Sequence, residues 1–184
     1  MHTSGNELIN PFKVLERVGV QEGWQVADLG CGALGHFVFP AAQMVGALGM
    51  VYAVDIQKSA LAAVERAARA DQYWNIFTVW ADIEVERAVR VPPASLDLTI
   101  IANNLYLSKN RPALIREATR LTKPGGRILV IEWKPDAALL GPSAEHRLDP
   151  SEAQALFPLE GYRTLDAFDA GDHHYALVYQ TVSP

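Results

Sequence analysis

Short apolar runs rich in β-branched residues alternate along this chain with longer segments whose apolar residues recur at helical spacing, and few architectures satisfy that alternation. Strands apolar on both faces must be covered on both, so the pattern predicts an α/β domain, a largely parallel sheet between two layers of helices. Strands are expected at Gln25–Leu29, in a second segment ending at Asp55, and at Ile76–Trp80, Leu96–Ala102 and Arg127–Trp133. Helices are expected from Gly35 or His36 to Val45, over Ser59–Ala70 and Arg111–Leu121, with a short one inside Asp82–Val89. Asp149-Pro-Ser-Glu152 sets an acid at the N-cap, proline at N1 and glutamate at N3, which starts one more. "YRTLDAF" and "HHYALVYQTV", joined by "DAGD", predict a closing antiparallel hairpin.

With 184 residues, 49% hydrophobic and 20% charged, one domain spanning 1–184 is expected. The net charge of −5 argues against a broad basic face, so no nucleic-acid partner is expected. A single cysteine, Cys31, excludes an internal disulfide, argues against a thiolate zinc site and suits a reducing cytoplasm. Phe37 to Val54 carries no charge, but Pro40, Gln43, Gly46 and Gly49 interrupt it, so it reads as helix, turn and strand and not as a membrane span. The opening "MHTSGNELINPF" lacks the basic and apolar regions of a signal peptide.

The stretch "VADLGCGALGHF" places glycines at 30, 32 and 35 between a strand and a helix, and the next strand ends on Asp55. That geometry aims backbone N–H groups and a helix N-terminus at a ligand and offers a carboxylate to ribose hydroxyls. A nicotinamide dinucleotide and S-adenosylmethionine (SAM) both fit so far, and charge separates them. A pyrophosphate on the loop would face Asp28, and two like charges about 6 Å apart at an effective dielectric near 20 repel by roughly 3 kcal/mol. The ammonium and sulfonium of SAM reverse the sign.

"VADLGCG", "VYAVDIQ", "WADIE" and "LTKPGGRILVIEW", in this order and spacing and followed by "GP…EHRLDPSEAQ" and "HHYALVY", resemble the motifs of class I SAM-dependent methyltransferases, particularly the UbiE-like (methyltransferase type 11) group. The resemblance covers most of the chain. It implies a Rossmann-like seven-stranded sheet of order 3-2-1-4-5-7-6 with strand seven antiparallel, SAM as donor, S-adenosylhomocysteine (SAH) as product and a small-molecule acceptor. By the same resemblance Asp28, Gly30 and Gly32 hold the methionine end, with Asn103 lining that side, and Asp55 takes both ribose hydroxyls. Ile56 packs on adenine, and Asp82 with the Ile83 backbone contacts its amine. The family usually has its third glycine two residues after the second; here that position is Leu34 and the glycine is Gly35, so the contact of Gly35 is the least secure.

Methyl transfer from a sulfonium needs alignment and exclusion of water more than acid–base machinery. For a hydroxyl or carbon-acid nucleophile a base is required; Tyr106, Glu132 and His146 are the weak candidates, with no choice among them. Cys31 reads as a packing residue, and its isolation argues against arsenite as acceptor. His173 and His174 are adjacent on a strand and point to opposite faces, which disfavours a metal site, and none is expected. Only the short segment 1–24 precedes the first strand, so closure of the site falls to Met1–Phe12, to a lid loop over 134–149 or to a second subunit of a homodimer. An NAD(P)-dependent oxidoreductase and a non-catalytic SAM-binding module are the alternatives. An RNA or protein methyltransferase ranks below them, because "NNLY" has only the ends of an Asn-Pro-Pro-Tyr motif.

Overall fold

The computed structural model describes residues 8–137, 141–158 and 161–182. Its elements in chain order are α1 (Pro11–Val18), β1 (Gln25–Leu29), α2 (Val38–Val45), β2 (Met50–Asp55), α3 (Lys58–Ala70), β3 (Ile76–Trp80), β4 (Leu96–Ala102), α4 (Arg111–Leu121), β5 (Thr122–Trp133), a 3-10 turn (Ala144–His146), α5 (Pro150–Ala155), β6 (Tyr162–Asp169) and β7 (His174–Thr181). The strands form one sheet of order β3-β2-β1-β4-β5-β7-β6. β1 through β5 run parallel, and β7 lies antiparallel between β5 and β6.

The period-two geometry of strands divides the apolar residues between two cores. Val26, Val51, Leu98, Ile100, Leu129 and Val178 face Leu15, Ala41, Val45 and Val64 on one side. Leu29, Val54, Ile101, Ile128, Val130 and Tyr179 face Leu114, Ala118, Leu121 and Phe157 on the other. This double burial is why β4 and β5 read as nearly unbroken apolar runs. No helix among the described residues is long and apolar enough to cross a membrane, and the uncharged stretch after Phe37 resolves into α2, a turn and β2.

Four local expectations are corrected. Helix α1, not expected, is capped by the Asn10 side chain accepting from the Lys13 amide, has Pro11 at its start and ends at Gly19 with φ 80°. Its Arg17 pairs with Asp166 at 2.8 Å and lies 4.1 Å from the Phe168 ring centroid, pinning the helix to the closing hairpin. Helix α2 begins at Val38, later than expected, because Gly35 has φ 55°, which a helix cannot accommodate. No helix forms within Asp82–Val89: Arg87 has φ 64°, and the amides of Arg87 and Val89 donate to the buried Glu117 carboxylate instead of to a helical ladder. Strand β5 starts at Thr122, not Arg127, and crosses an irregularity opposite Leu96 and Leu98; a Cβ on Gly126 would come within 2.7 Å of Thr122 Cγ2.

Glu117 therefore organises a whole connection, since it also takes two bonds from Arg120 at 2.8 and 2.7 Å. Glu117→Ala is expected to cost about 2 kcal/mol, because two amides and part of a guanidinium lose their acceptor. Urea denaturation checks this; a loss below 0.5 kcal/mol would show that the connection holds itself.

Candidate functional site

The site grows from the carboxyl ends of the parallel strands, the edge where open α/β sheets bind ligands. At the end of β1 the chain turns at Gly30, whose φ is 81°, and the amides of Gly30 and Cys31 both donate to the Val54 carbonyl of β2, at 2.8 and 3.0 Å. The Asn104 side-chain amide reaches across from beyond β4 and donates to the carbonyls of Leu29, Gly30 and Ala102 at 3.0, 3.1 and 2.8 Å. A Cβ on Gly30 would sit 2.5 Å from that side chain, so only glycine admits this clamp. Gly32, with φ 63°, has open space where a Cβ would be.

Asp55, at the end of β2, is buried and spans loop and helix: its Oδ2 accepts from the Gly32 amide at 2.9 Å and its Oδ1 from the Gln57 amide at 2.8 Å. Asp28 is also buried, 3% exposed, one strand away. Burial first, and then the neighbouring Asp55 charge, raise its carboxyl pKa to about 7.

Two cavities adjoin here and share Gly30. The first, of about 200 Å³, is lined by Asp28, Gly30, Leu34, His36, Asn103 and His174 among others, with Leu8, Ile9, Phe37 and Trp133 as its apolar wall. The second, of about 410 Å³, is lined by Asp55, Ile56, Asp82, Ile83, Asn104 and Lys109 among others. Ile56, 57% exposed, forms an apolar ledge there, and its carbonyl is fixed by a 2.9 Å bond from the Trp80 indole. Asp82 turns its own loop by accepting from the Glu84 amide at 2.9 Å. A depression of about 440 Å³ around Leu48, Trp74 and Phe77 lies at the opposite edge of the sheet, and its lining has no carboxylate, histidine, lysine, arginine or cysteine.

Eight of the nine residues expected to hold a donor are thus gathered along one cleft, although Gly32 belongs to it through the Asp55 bond and not as a lining residue. Gly35 lines neither cavity: it turns the loop beneath Phe39, while Leu34 stands on the rim, 71% exposed. None of the three candidate bases lines either cavity. His146 lies on the exposed 3-10 turn, 2.8 Å from Ser143 Oγ. Glu132 is fully buried and braces the turn after β4 by accepting from the Leu105 and Tyr106 amides at 2.7 and 3.3 Å. Burial raises its pKa to about 7 despite those bonds, and raises that of half-buried Tyr106 beside it.

Sequence reading passed over Asn104, and took His36 and His174 for neither base nor ligand contact. His36 stands inside the glycine stretch and His174 opens β7, so position was the available signal. The expected closing segments are partly described. Leu8 and Ile9 line the first cavity, while residues 1–7 lie outside the described residues. In the 134–149 loop, 138–140 lie outside them too; Arg147 ties the remainder by donating to the carbonyls of Pro142, Pro135 and Ala137, and Gly141 packs on the Trp133 indole.

Residues 21–161 match the family model described as "Methyltransferase domain". The chain belongs to this methyltransferase family. The ubiquinone/menaquinone biosynthesis C-methyltransferase UbiE of Azotobacter vinelandii is 31% identical over 163 residues, which are 88% of this chain and 60% of that protein. An arsenite methyltransferase of Aquipseudomonas alcaligenes is 32% identical over 111 residues, 58% of this chain and 32% of that one. The chain thus spans less than two thirds of the length of these curated relatives. Among solved structures, a SAM-dependent methyltransferase from Aquifex aeolicus superposes with a TM-score of 0.89 at 24% identity, covering 98% of this chain and 94% of that one. The likeness shows the methyltransferase Rossmann-like fold, and the family match does not favour the oxidoreductase alternative. The cofactor of this family is SAM, and the methyltransferase cleft fits it: an open glycine cradle, acids where positive charge and ribose hydroxyls would lie, and an uncommitted Asn103 Oδ1.

The raised carboxyl groups have a consequence for stability. Asp28 and Glu132 hold their protons in the folded chain up to about pH 7, whereas the unfolded chain releases them near pH 4. Between those values the folded state binds more protons at these two groups, which therefore withdraw stability as pH rises from about 4.5 to above 7, while buried His174, lowered to about 4, acts in the opposite sense up to about pH 6.5. Asp28→Asn is expected to flatten that decline by about 1–2 kcal/mol between pH 5 and 8 in urea titrations; identical slopes in both proteins would show that Asp28 is ionised throughout.

Proposed function

We propose that the chain transfers the methyl group of SAM to a small-molecule nucleophile. The observation that carries this reading is the pair of buried acids, Asp28 and Asp55, on either side of an open glycine turn. A pyrophosphate set against these two acids is repelled by their charge and keeps the Asp28 proton in place, whereas an ammonium draws that proton off and pairs with the carboxylate. Asp28, Gly30, Gly32 and Asn103 would hold the methionine end, Asp55 the ribose hydroxyls, and Ile56, Asp82 and Ile83 the adenine. Gly35 shapes the loop.

The bound donor supplies a methyl group already activated for displacement. What the chain contributes is alignment and dryness. The Asn104 clamp and the Asp55 brace fix the turn before any ligand arrives, so little order is lost on binding. Trp133, Phe37, Leu8 and Ile9 keep water from the end of the cleft where a nucleophile would stand. Although one relative is an arsenite methyltransferase, Cys31 is the sole thiol, buried and pushed to a higher pKa by burial, which makes it a poor arsenic ligand. A lone cysteine, which offers no internal disulfide, suits a reducing cytoplasm.

The test is transfer of label. Protein incubated with methyl-tritiated SAM and a small-molecule cell extract is expected to release SAH and to label an extract component, and Asp55→Ala to do neither. Tight SAH binding with no label transferred to any extract would favour the non-catalytic SAM-binding module.

A further inference from the structure

The first cavity carries more polarity than donor binding uses. Three buried side-chain atoms without a hydrogen-bond partner among the described residues, His36 Nε2, Asn103 Oδ1 and His174 Nδ1, belong to residues that line it. His174 is 1% exposed. A buried polar atom left alone costs about 1–3 kcal/mol, and since Asn103 is already assigned to the donor, the two on the histidines point to a further ligand that completes them.

Their other bonds fix what each can offer. His36 stands beside the Ile9 backbone, and with the ring proton on Nδ1 its unpartnered Nε2 keeps a lone pair. His174 Nε2 lies 3.3 Å from Asn103 Nδ2, and with that amide donating, Nδ1–H of His174 becomes a free donor and Asn103 Oδ1 a free acceptor. Two residues of the cavity wall thus each keep an unpaired ring nitrogen, an acceptor on His36 and a donor on His174. A hydroxyl oxygen, which donates once and accepts, satisfies both. A carbon nucleophile satisfies neither.

Resting on the SAM reading above, we propose that the methyl acceptor is an uncharged molecule that inserts a hydroxyl here, with His174 donating to its oxygen and His36 Nε2 receiving its proton. The new C–O bond forms as the methyl carbon's bond to the donor sulfur breaks. The bonding pair stays on sulfur, and the hydroxyl proton passes to His36, which returns it to solvent. The volume of about 200 Å³ is below that of sites enclosing a whole drug-sized ligand, so only the reactive end is enclosed and the remainder passes over Leu34. Burial lowers the pKa of both imidazoles, that of His174 to about 4 with help from His173, His36 and Lys134, so both are neutral and weakly basic. Weak bases suit an acidic hydroxyl, phenolic or enolic, better than an aliphatic one.

Phenol and anisole share a ring and an oxygen, and only phenol has a proton to give. In SAH-loaded protein with ¹⁵N-labelled histidine, phenol is expected to move the His36 and His174 ring resonances and to bind about tenfold more tightly than anisole. His36→Leu is expected to erase the preference with SAH affinity within about twofold of the parent, and His36→Gln, which keeps an acceptor oxygen, to restore part of it. Should His36→Leu fail to fold, the wild-type shifts decide. Equal binding of the two probes, or none of either, overturns the hydroxyl proposal and leaves the donor reading standing. Failure of wild-type protein to bind SAH overturns both.

Discussion

Asp55→Ala is expected to lower affinity for SAH at least about 100-fold. Two effects act together. The carboxylate holds the Gly32 and Gln57 amides at 2.9 and 2.8 Å, so its loss frees the glycine turn and leaves two shielded donors unmet. It is also the acid proposed for the ribose hydroxyls, and charge-assisted bonds of that kind contribute about 1.5–3 kcal/mol each. Asp55→Asn separates the two: one amide oxygen still braces Gly32, so stability recovers while affinity stays depressed. Calorimetric titration and urea denaturation on the three proteins check this. An affinity within threefold for Asp55→Ala would remove Asp55 from the site.

Gly30→Ala is expected to abolish measurable donor binding and to destabilise the fold by about 3 kcal/mol. The added Cβ would meet Asn104 Nδ2, Oδ1 and Cγ at 2.5, 2.5 and 2.6 Å, and φ 81° is itself costly for alanine. Asn104 cannot retreat without releasing the carbonyls of Leu29, Gly30 and Ala102, which join the ends of β1 and β4. Gly32→Ala is the control: its φ of 63° carries a similar backbone penalty, but nothing lies within 4 Å of the new methyl. A smaller stability loss at Gly32 than at Gly30 is therefore the expected order, and the reverse would show that the clamp is unimportant.

The sheet was legible because its signals are local. β1, β3, β4 and α4 have the expected bounds, since each is bracketed by turn residues and β4 needs covering on both faces. What was missed depends on partners distant in sequence. Nothing near Asp82–Val89 says that Glu117 will take the amides of Arg87 and Val89, and a local helical pattern loses to those bonds. Helix α1 is the opposite case: Asn10, Pro11, the apolar Val14, Leu15 and Val18, and Gly19 spelled a capped helix that was not read. In the site, acids at strand ends were legible from motif position. Convergence of His36 and His174, separated by most of the chain, follows only from β7 inserting beside β5. Glu132 showed the limit of reading a strand-end acid as a base, because the residue serves the backbone of the following turn.

The central claim is that two buried acids beside the glycine turn select a positively charged adenosyl donor over a diphosphate. Calorimetric titration of the purified wild-type chain with SAM and SAH, and in parallel with NAD⁺ and NADP⁺, tests it most directly. One site per chain for SAM and SAH, with no heat from either dinucleotide, is the expected result; saturable dinucleotide binding without adenosyl-donor binding would contradict it.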